Sequence, residues 1–518
     1  MFALTQEQAS ILDAVKSGDP LIKINAFAGT GKTTTLLAIA NELRGRTILY
    51  LAFNKSIQLE AKSKFPHNTL VKTTHSIAYG QVVFKGGYNK PRNDYKPREV
   101  AEMFFCDMEV AKLTLLIFNN YCNSASRNIS IDNVNEATTK TFQAKKYAKE
   151  LFNRMMNKEI EITHSFYLKA FQIGLLDKTI NPRPYDLIML DEAQDTNDVT
   201  LSIFYNLPAR QKIIVGDRHQ QIYSFRGSVN AMKKVKASIY YLTQSFRFGK
   251  SIADNATYFL NIFKGEKKTL KGTERDVMIR DKAYISRTNA MLIGEIARLI
   301  EDEKFFKTVR EPYAIFSLCL NILKLKDKEE LDSAYKYLEY YHNDFKCDED
   351  ETNLLTFLKE KAKDVDDVEL HTASKIVIEY GNRIKHFYAV AKENYNSHKE
   401  CDLFLTTAHT SKGLEWDEVE LLSDFDITKA VAKYYAELGY SSDDDMGYLE
   451  DFSNIVVKGT AIEQELIDEF NLYYVAITRA KVKVVDNTEL YDKLVDRDRD
   501  AINNEIKTKI KELIIDKE

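Results

Sequence analysis

Residues 26–33 combine the residue types that hold phosphate groups. Gly29 and Gly31 let backbone N–H groups approach an anion, and Lys32 adds a charge that can reach the β and γ oxygens. The order A-F-A-G-T-G-K-T follows the phosphate-loop pattern G-x-x-x-x-G-K-[ST], except that Ala26 takes the first glycine position. The segment therefore predicts a nucleotide site with Mg²⁺ held by Thr33. The residues expected to contact the nucleotide here are Ala28, Gly29, Thr30, Gly31, Lys32, Thr33 and Thr34.

A pair of carboxylates follows a second predicted strand. Residues 187–190 form a continuous apolar run, which is typical of a buried parallel strand, and Asp191 and Glu192 come directly after it. Ligands of open α/β sheets bind at this end of the strands. We expect Asp191 to hold Mg²⁺ through water and Glu192 to act as general base on an attacking water. The alternative is an acidic surface turn, which the phosphate loop in the same chain disfavours.

A third β-prone run, at residues 213–215, leads into polar and aromatic side chains. Gln220 stands where an amide can sense a γ-phosphate, which makes it a third catalytic candidate beside Asp191 and Glu192. Aromatic faces next to an arginine are typical of a channel for single-stranded nucleic acid, although an isolated aromatic pair more often belongs to a core. The residues predicted to contact the strand here are Tyr223, Phe225 and Arg226.

Composition limits the class of protein that positions these groups. The 518 residues are 44% hydrophobic and too many for one core, which suggests roughly two to four domains. No apolar run approaches the roughly 18 residues of a membrane span, and the first residues lack the pattern of an export signal. Five scattered cysteines without a C-x-x-C pair argue against a disulfide framework or a zinc site. We expect a soluble, cytoplasmic protein that is not secreted and works at the nucleoid or a replication site.

Charge is distributed unevenly along the chain. The net charge of 73 − 77 = −4 gives no argument for a polyanion partner. Residues 76–185, however, carry 16 Lys/Arg against 11 Asp/Glu (+5), whereas residues 327–370 carry 6 against 15 (−9). The first segment can face phosphates and the second would repel them, although solvated helix faces would explain either balance.

The motifs, taken in order, resemble the UvrD/Rep-like branch of superfamily 1 helicases. Within that branch the sequence is most similar to the F-box DNA helicase subgroup, with no F-box expected ahead of the motor. The stretches that carry the resemblance are LTQEQ, the phosphate loop, AFNKS, TTHS, THSFYLKAFQ, DEAQD, VGDRHQQIYSFRG, LTQSFRFG, TTAHTSKGLEWDEV and LYYVAITRAK. Two departures loosen the carried-over contacts: Thr34 replaces a common arginine, and Phe225 replaces a common tryptophan.

The resemblance implies further roles for single residues. Gln8 would read the adenine, Phe246 would stack on it, and Glu415 would complete the nucleotide contacts. Arg247 and Arg479 would act as catalytic arginines on the γ-phosphate, together with Lys32. The further DNA contacts that the resemblance implies are Asn54, Lys55, Thr74, His75, Thr407 and His409.

The resemblance also implies an α/β fold with two RecA-like motor domains that have parallel sheets, each carrying a mostly helical insertion. ATP would bind between the motor lobes, and hydrolysis would open and close them. The predicted boundaries are 1–80 and 163–248 for the first motor domain, 81–162 for its insertion, 249–320 and 400–490 for the second motor domain, 321–399 for its insertion, and 491–518 for a helical tail.

The predicted activity is that of an ATP- and Mg²⁺-dependent DNA helicase or translocase. It would move 3′ to 5′ on single-stranded DNA, bind single-strand/duplex junctions, and serve repair, recombination or replication. We expect a monomer in solution, with a protein partner at the acidic second insertion. Three alternatives stay open: a translocase that strips proteins without much unwinding, an ATP-controlled binding protein that does not move, and a motor that tracks RNA.

Overall fold

The computed structural model describes residues 4–131, 138–223, 230–274, 278–339, 351–364, 367–438 and 461–515. The chain divides into two compact units, Met1–Thr243 and Gln244–Glu518. Each unit contains one sheet in which all paired strands run parallel. The predicted α/β class with two parallel sheets is therefore confirmed.

The sheet of the first unit has the strand order β3-β2-β4-β5-β1-β6. Its strands are β1 Leu21–Ala26, β2 Ile48–Ala52, β3 Thr69–Thr73, β4 Tyr185–Leu190, β5 Ala209–Gly216 and β6 Ser238–Leu242. Leu190 at the end of β4 lies opposite Leu51 of β2 and Ile214 of β5. Because the strands are parallel, the phosphate loop after β1, Asp191 after β4 and Asp217 after β5 share one edge of the sheet.

The helices of the first unit cover both faces of this sheet and form a helical segment between β3 and β4. They are α1 Gln6–Ser17, α2 Lys32–Glu42, α3 Lys55–Lys64, α4 Thr74–Ala78, α5 Pro97–Phe104, α6 Met108–Asn123, α7 Thr139–Met156, α8 His164–Leu176, α9 Asp198–Asn206 and α10 Ala231–Lys234, with a π-helix at Tyr79–Phe84 and a 3₁₀ turn at Ala193–Asp195. Side-chain caps begin many of them; Thr163, for example, accepts from the N–H of Phe166. The assignment of 81–162 as an insertion stays a prediction.

Successive side chains of the central strands of this unit point to opposite faces of the sheet and pack into two apolar layers. Ile22, Leu36 and Met189 belong to the layer beneath α1 and α2. Ile188 and Ile214 face the other layer, which continues into the helical segment through α6, α7 and α8. Burial on both faces explains why the central strands are continuous apolar runs in the sequence.

The second unit has a five-stranded sheet in the order β11-β10-β7-β9-β8. Its strands are β7 Lys282–Ser286, β8 Lys307–Thr308, β9 Leu403–Thr407, β10 Trp416–Leu421 and β11 Ala480–Asp486. Its helices are α11 Lys250–Lys264, α12 Asn289–Glu301, α13 Tyr313–Lys326, α14 Glu351–Asp364, α15 Val368–Tyr380, α16 Arg383–Asn396, α17 Ala408–Ser411, α18 Ile427–Glu437, α19 Ala461–Ile477, α20 Leu490–Val495 and α21 Arg499–Ile515.

The predicted helical tail consists of two helices, α20 and α21. α21 packs against α18, and its Ile502, Ile506 and Ile510 are fully buried. Lys509 also bonds to Asp426 at 2.7 Å. The tail is thus part of the core of the second unit. In the residues that the structure describes, no helix has the length and apolar character needed to cross a membrane.

Candidate nucleotide and nucleic-acid site

The phosphate loop connects β1 to α2 in a conformation that depends on its glycines. Gly29 and Gly31 have φ values of 71° and 77°, in the left-handed region that favours glycine. Thr30 is buried and its hydroxyl donates to the Phe27 carbonyl at 2.8 Å. Lys32 is the first residue of α2. The loop therefore has the backbone conformation and the helix N-terminus that bind an anionic phosphate.

Lys32 and the predicted catalytic carboxylates meet at the edge of the sheet. The Lys32 Nζ lies 3.0 Å from Oε1 and 3.2 Å from Oε2 of Glu192. Burial lowers the pKa of Lys32, but the charges of Glu192, Asp191 and Asp217 outweigh it and the pKa is raised. Lys32 is therefore a fixed cation among three carboxylates.

Asp191 is almost fully buried, at 3% exposure. It accepts hydrogen bonds from the Tyr50 hydroxyl and, at 2.9 Å, from the backbone N–H of Glu192. Burial and the adjacent charge of Glu192 raise the pKa of Asp191 to about 6, against the opposing effect of Lys32. Glu192 itself has φ 50°, an uncommon conformation for a residue with a side chain. The strand end thus holds two carboxylates in different environments.

Gln194 connects the carboxylates to the predicted phosphate sensor. Its amide donates to Glu192 and its oxygen accepts the N–H of Asp217 at 3.1 Å. The amide of Gln220 then donates to Oδ2 of Asp217 at 2.9 Å. A continuous set of hydrogen-bonded residues therefore links Lys32, Glu192 and Gln220, which the sequence places far apart.

Gln8 lies beside α2. It completes a capping box with Thr5, and its amide donates to the Thr35 hydroxyl at 3.1 Å. Thr33 is half-buried and Thr34 is exposed. The donor set suits Mg²⁺, because hydroxyl and carboxylate oxygens are its preferred protein ligands and one or two of them suffice beside phosphates. No cluster of three or more metal-ligating His, Cys, Asp or Glu side chains occurs in the described ranges.

The predicted nucleotide residues of the second unit also lie together. Arg247 Nε donates to Glu415 at 2.9 Å, and its Nη1 donates to the Thr478 carbonyl at 3.1 Å. The next residue, Arg479, is 2% exposed and donates to the Val475 carbonyl at 3.0 Å. Phe246, by contrast, is 41% exposed. The two arginines are thus joined through Thr478, while the aromatic ring faces solvent.

The predicted DNA contacts of the first unit lie at the carboxyl ends of β2 and β3. Asn54 caps α3 by accepting the Ile57 N–H at 2.9 Å, and Lys55 is exposed. Thr74 is buried, whereas His75 is exposed. Tyr223 stacks on Phe53, with ring centroids 6.1 Å apart.

The remaining predicted DNA contacts lie in the second unit or outside the described residues. Thr407 caps α17 and His409 lies in its first turn, both in the second unit. Phe225 and Arg226 lie outside the described residues. Contact of any of these side chains with DNA stays a prediction.

Several residues of the site were not predicted. Gln194 and Asp217 make the bonds that connect Glu192 to Gln220, Tyr50 donates to Asp191, and Phe53 pairs with Tyr223. Phe53 and Gln194 stand inside the quoted stretches AFNKS and DEAQD. Tyr50 was harder to predict as a site residue, because the only hint in the sequence is its hydroxyl in the middle of an otherwise apolar strand.

Comparison with known proteins finds similarity to DNA helicases. Residues 4–236 match the family model described as the UvrD/REP helicase N-terminal domain. F-box DNA helicase 1 of Gallus gallus is 30% identical over 516 residues, covering 92% of this chain and 48% of the relative. F-box DNA helicase protein 1 of Schizosaccharomyces pombe is 27% identical, over 94% of this chain and 58% of the relative. The chain thus spans about half the length of these curated relatives.

Proposed function

We propose that this chain, whose residues 4–236 match the UvrD/REP helicase N-terminal domain, is an ATP-dependent DNA helicase or translocase whose hydrolysis is stimulated by single-stranded DNA. The observation that carries this proposal is the contact of Lys32 with Glu192, next to buried Asp191. It joins the phosphate loop to the predicted general base, and Gln194 and Asp217 extend the connection to Gln220.

Hydrolysis of ATP at this site would depend mainly on positioning and charge. Lys32 would exchange part of its bond with Glu192 for the β and γ oxygens of ATP, which leaves Glu192 able to accept a proton from water. Thr33 and Asp191 would hold Mg²⁺, which neutralises phosphate charge when bound. Arg247 and Arg479 would stabilise the charge that develops on the γ-phosphate.

The track we propose is single-stranded DNA, entered from a junction with duplex and followed 3′ to 5′. The stacked Phe53 and Tyr223 rings and the exposed His75 support a strand at the carboxyl edge of the first sheet, because bases stack on such rings without regard to sequence. Work in repair, recombination or replication belongs to the same proposal, as do the monomeric state and a protein partner at the acidic second insertion.

The first test is steady-state ATP hydrolysis with and without a single-stranded DNA oligomer. We expect strong stimulation in the wild type and loss of hydrolysis in Glu192→Gln, because the amide keeps one hydrogen-bond-accepting oxygen but cannot act as a base. Nucleotide affinity should persist in this variant because Lys32 and the glycine loop are unchanged.

The matched control is Glu42→Gln, the same change at the far end of α2, where the carboxylate pairs with Lys16 on the surface. It should hydrolyse ATP like the wild type. If DNA did not change the rate of ATP hydrolysis by the wild type, an ATP-controlled binding protein would be favoured. Stronger stimulation by RNA of the same sequence would favour an RNA track.

A further inference from the structure

Three aromatic side chains of the first unit surround the buried ring of Tyr167. The ring centroid of Tyr167 lies 5.9 Å from that of His75, 6.0 Å from that of Tyr79 and 5.6 Å from that of His164, each in an edge-on arrangement. Tyr167 is 3% exposed, while Tyr79 is 41% exposed and both histidines are exposed. One buried ring thus supports three rings that face solvent.

Local structure fixes each of these rings. His75 and His164 occupy the same place in two T-H-S sequences, 74–76 and 163–165, each at the start of a helix. Tyr79 opens the π-helix that continues α4, and such irregular turns occur often at functional sites. The backbone just before α8 forms an isolated parallel β-bridge between Thr163 and Arg92. Two separate segments therefore converge at the carboxyl end of β3.

The chemistry of the three rings suits single-stranded nucleic acid. His164 Nδ1 lies 3.1 Å from the Tyr167 hydroxyl, and the residue is exposed, so its other ring nitrogen, Nε2, takes no part in this contact. Burial, with a smaller effect of Tyr79, raises the pKa of Tyr167 to about 12, and the phenol stays protonated. In the part of the chain that the structure describes, none of the three exposed rings bonds to a carboxylate that would repel phosphate.

We propose that His164 and Tyr79 join His75 in a ring platform on Tyr167 that binds one nucleotide of the single strand, with a base against Tyr79 and a backbone phosphate on His164 Nε2. This inference rests on the proposed function, because it extends the same track by two residues. Tyr167 acts as a positioning residue that holds the imidazole of His164 in place.

The test is the affinity of each variant for a labelled oligothymidylate of about 15 nucleotides, measured by fluorescence anisotropy. Tyr79→Ala should weaken binding about tenfold, within the usual range for one lost base stack. His164→Ala should weaken it about three- to tenfold, and His164→Gln should recover part of this loss because an amide can still donate. Tyr167→Phe should weaken binding only while His164 is present.

The matched control is His67→Ala, an exposed histidine just before β3 and therefore at the opposite edge of the sheet. It should bind like the wild type. If both Tyr79→Ala and His164→Ala bound the oligonucleotide with wild-type affinity, the proposed platform would be wrong. Hydrolysis stimulated by DNA in the wild type would still support the proposed function. Absence of DNA binding in the wild type would instead overturn the proposed function.

Discussion

Gly216 ends β5 at the point where the Gln194 side chain crosses it. A Cβ at this position would lie 2.3 Å from Gln194 Oε1 and 3.1 Å from the backbone nitrogen of Ala193. The same oxygen accepts the N–H of Asp217. Any side chain here must therefore displace the bridge between Glu192 and Gln220.

Gly216→Ala should lower kcat for ATP hydrolysis about 10- to 100-fold, because displacements of about 1 Å at catalytic groups have costs of this size. The KM for ATP should change little, since the phosphate loop is untouched. Steady-state kinetics with saturating DNA checks this split. Gly45→Ala is the control, because a Cβ there meets nothing within 4 Å. Equal kcat in the two variants would show that catalysis does not need the Gln194 bridge.

Helix α8 holds the short segment of chain that follows α6. Its Lys169 is fully buried and donates to the carbonyls of Ser124 and Ser126, with the Tyr121 ring 4.4 Å from its Nζ. Gln172, one turn later, donates to the Ala125 carbonyl at 3.0 Å. Three successive backbone carbonyls after α6 thus accept hydrogen bonds from Lys169 and Gln172 of α8. The first turn of the same helix contains His164.

Lys169 predicts a pH-dependent stability. Burial lowers its pKa to about 8 in the folded chain, from 10.5. Between these values the unfolded chain binds more protons, so the contribution of Lys169 to stability rises with pH. Relative to Lys169→Met, the wild type should gain up to about 3 kcal/mol of unfolding free energy from pH 7 to pH 10.5.

Urea unfolding of both proteins across this pH range, followed by circular dichroism, measures the difference. The comparison removes the effect of other titrating groups that the two proteins share. Lys149→Met changes an exposed lysine of α7 and should track the wild type at every pH. A gap between wild type and Lys169→Met that stayed constant with pH would contradict a lowered pKa.

At the scale of the whole molecule, the sequence predicted what local patterns determine. The phosphate loop and the acidic strand end each follow from residues adjacent in the chain, whereas the α/β class with two sheets was implied by the resemblance that the ordered motifs carry. Tyr50 and Asp191 meet only because β2 pairs with β4, and they stand 141 positions apart. Burial of Lys169 could not be predicted from the sequence either, since a lysine on a helix is usually exposed. Strand order and helix packing, which create these contacts, leave no short-range signature.

Movement along a strand, and its direction, are properties of the whole molecule. If the chain moves 3′ to 5′ on single-stranded DNA, a duplex with a 3′ tail should be separated in the presence of ATP, and the same duplex with a 5′ tail should not. Lys32→Ala should abolish separation because the cation that binds the phosphates is lost.

A matched assay presents the same tail coated with a DNA-binding protein in place of a duplex. Release of that protein without strand separation would assign the chain to the translocases that clear single strands. Separation of the 5′-tailed duplex alone would contradict the proposed polarity and leave the ATP site intact. Strand separation and protein release should both require the base Glu192. If Glu192→Gln loses both activities, movement along the strand depends on ATP hydrolysis at the site formed around Lys32.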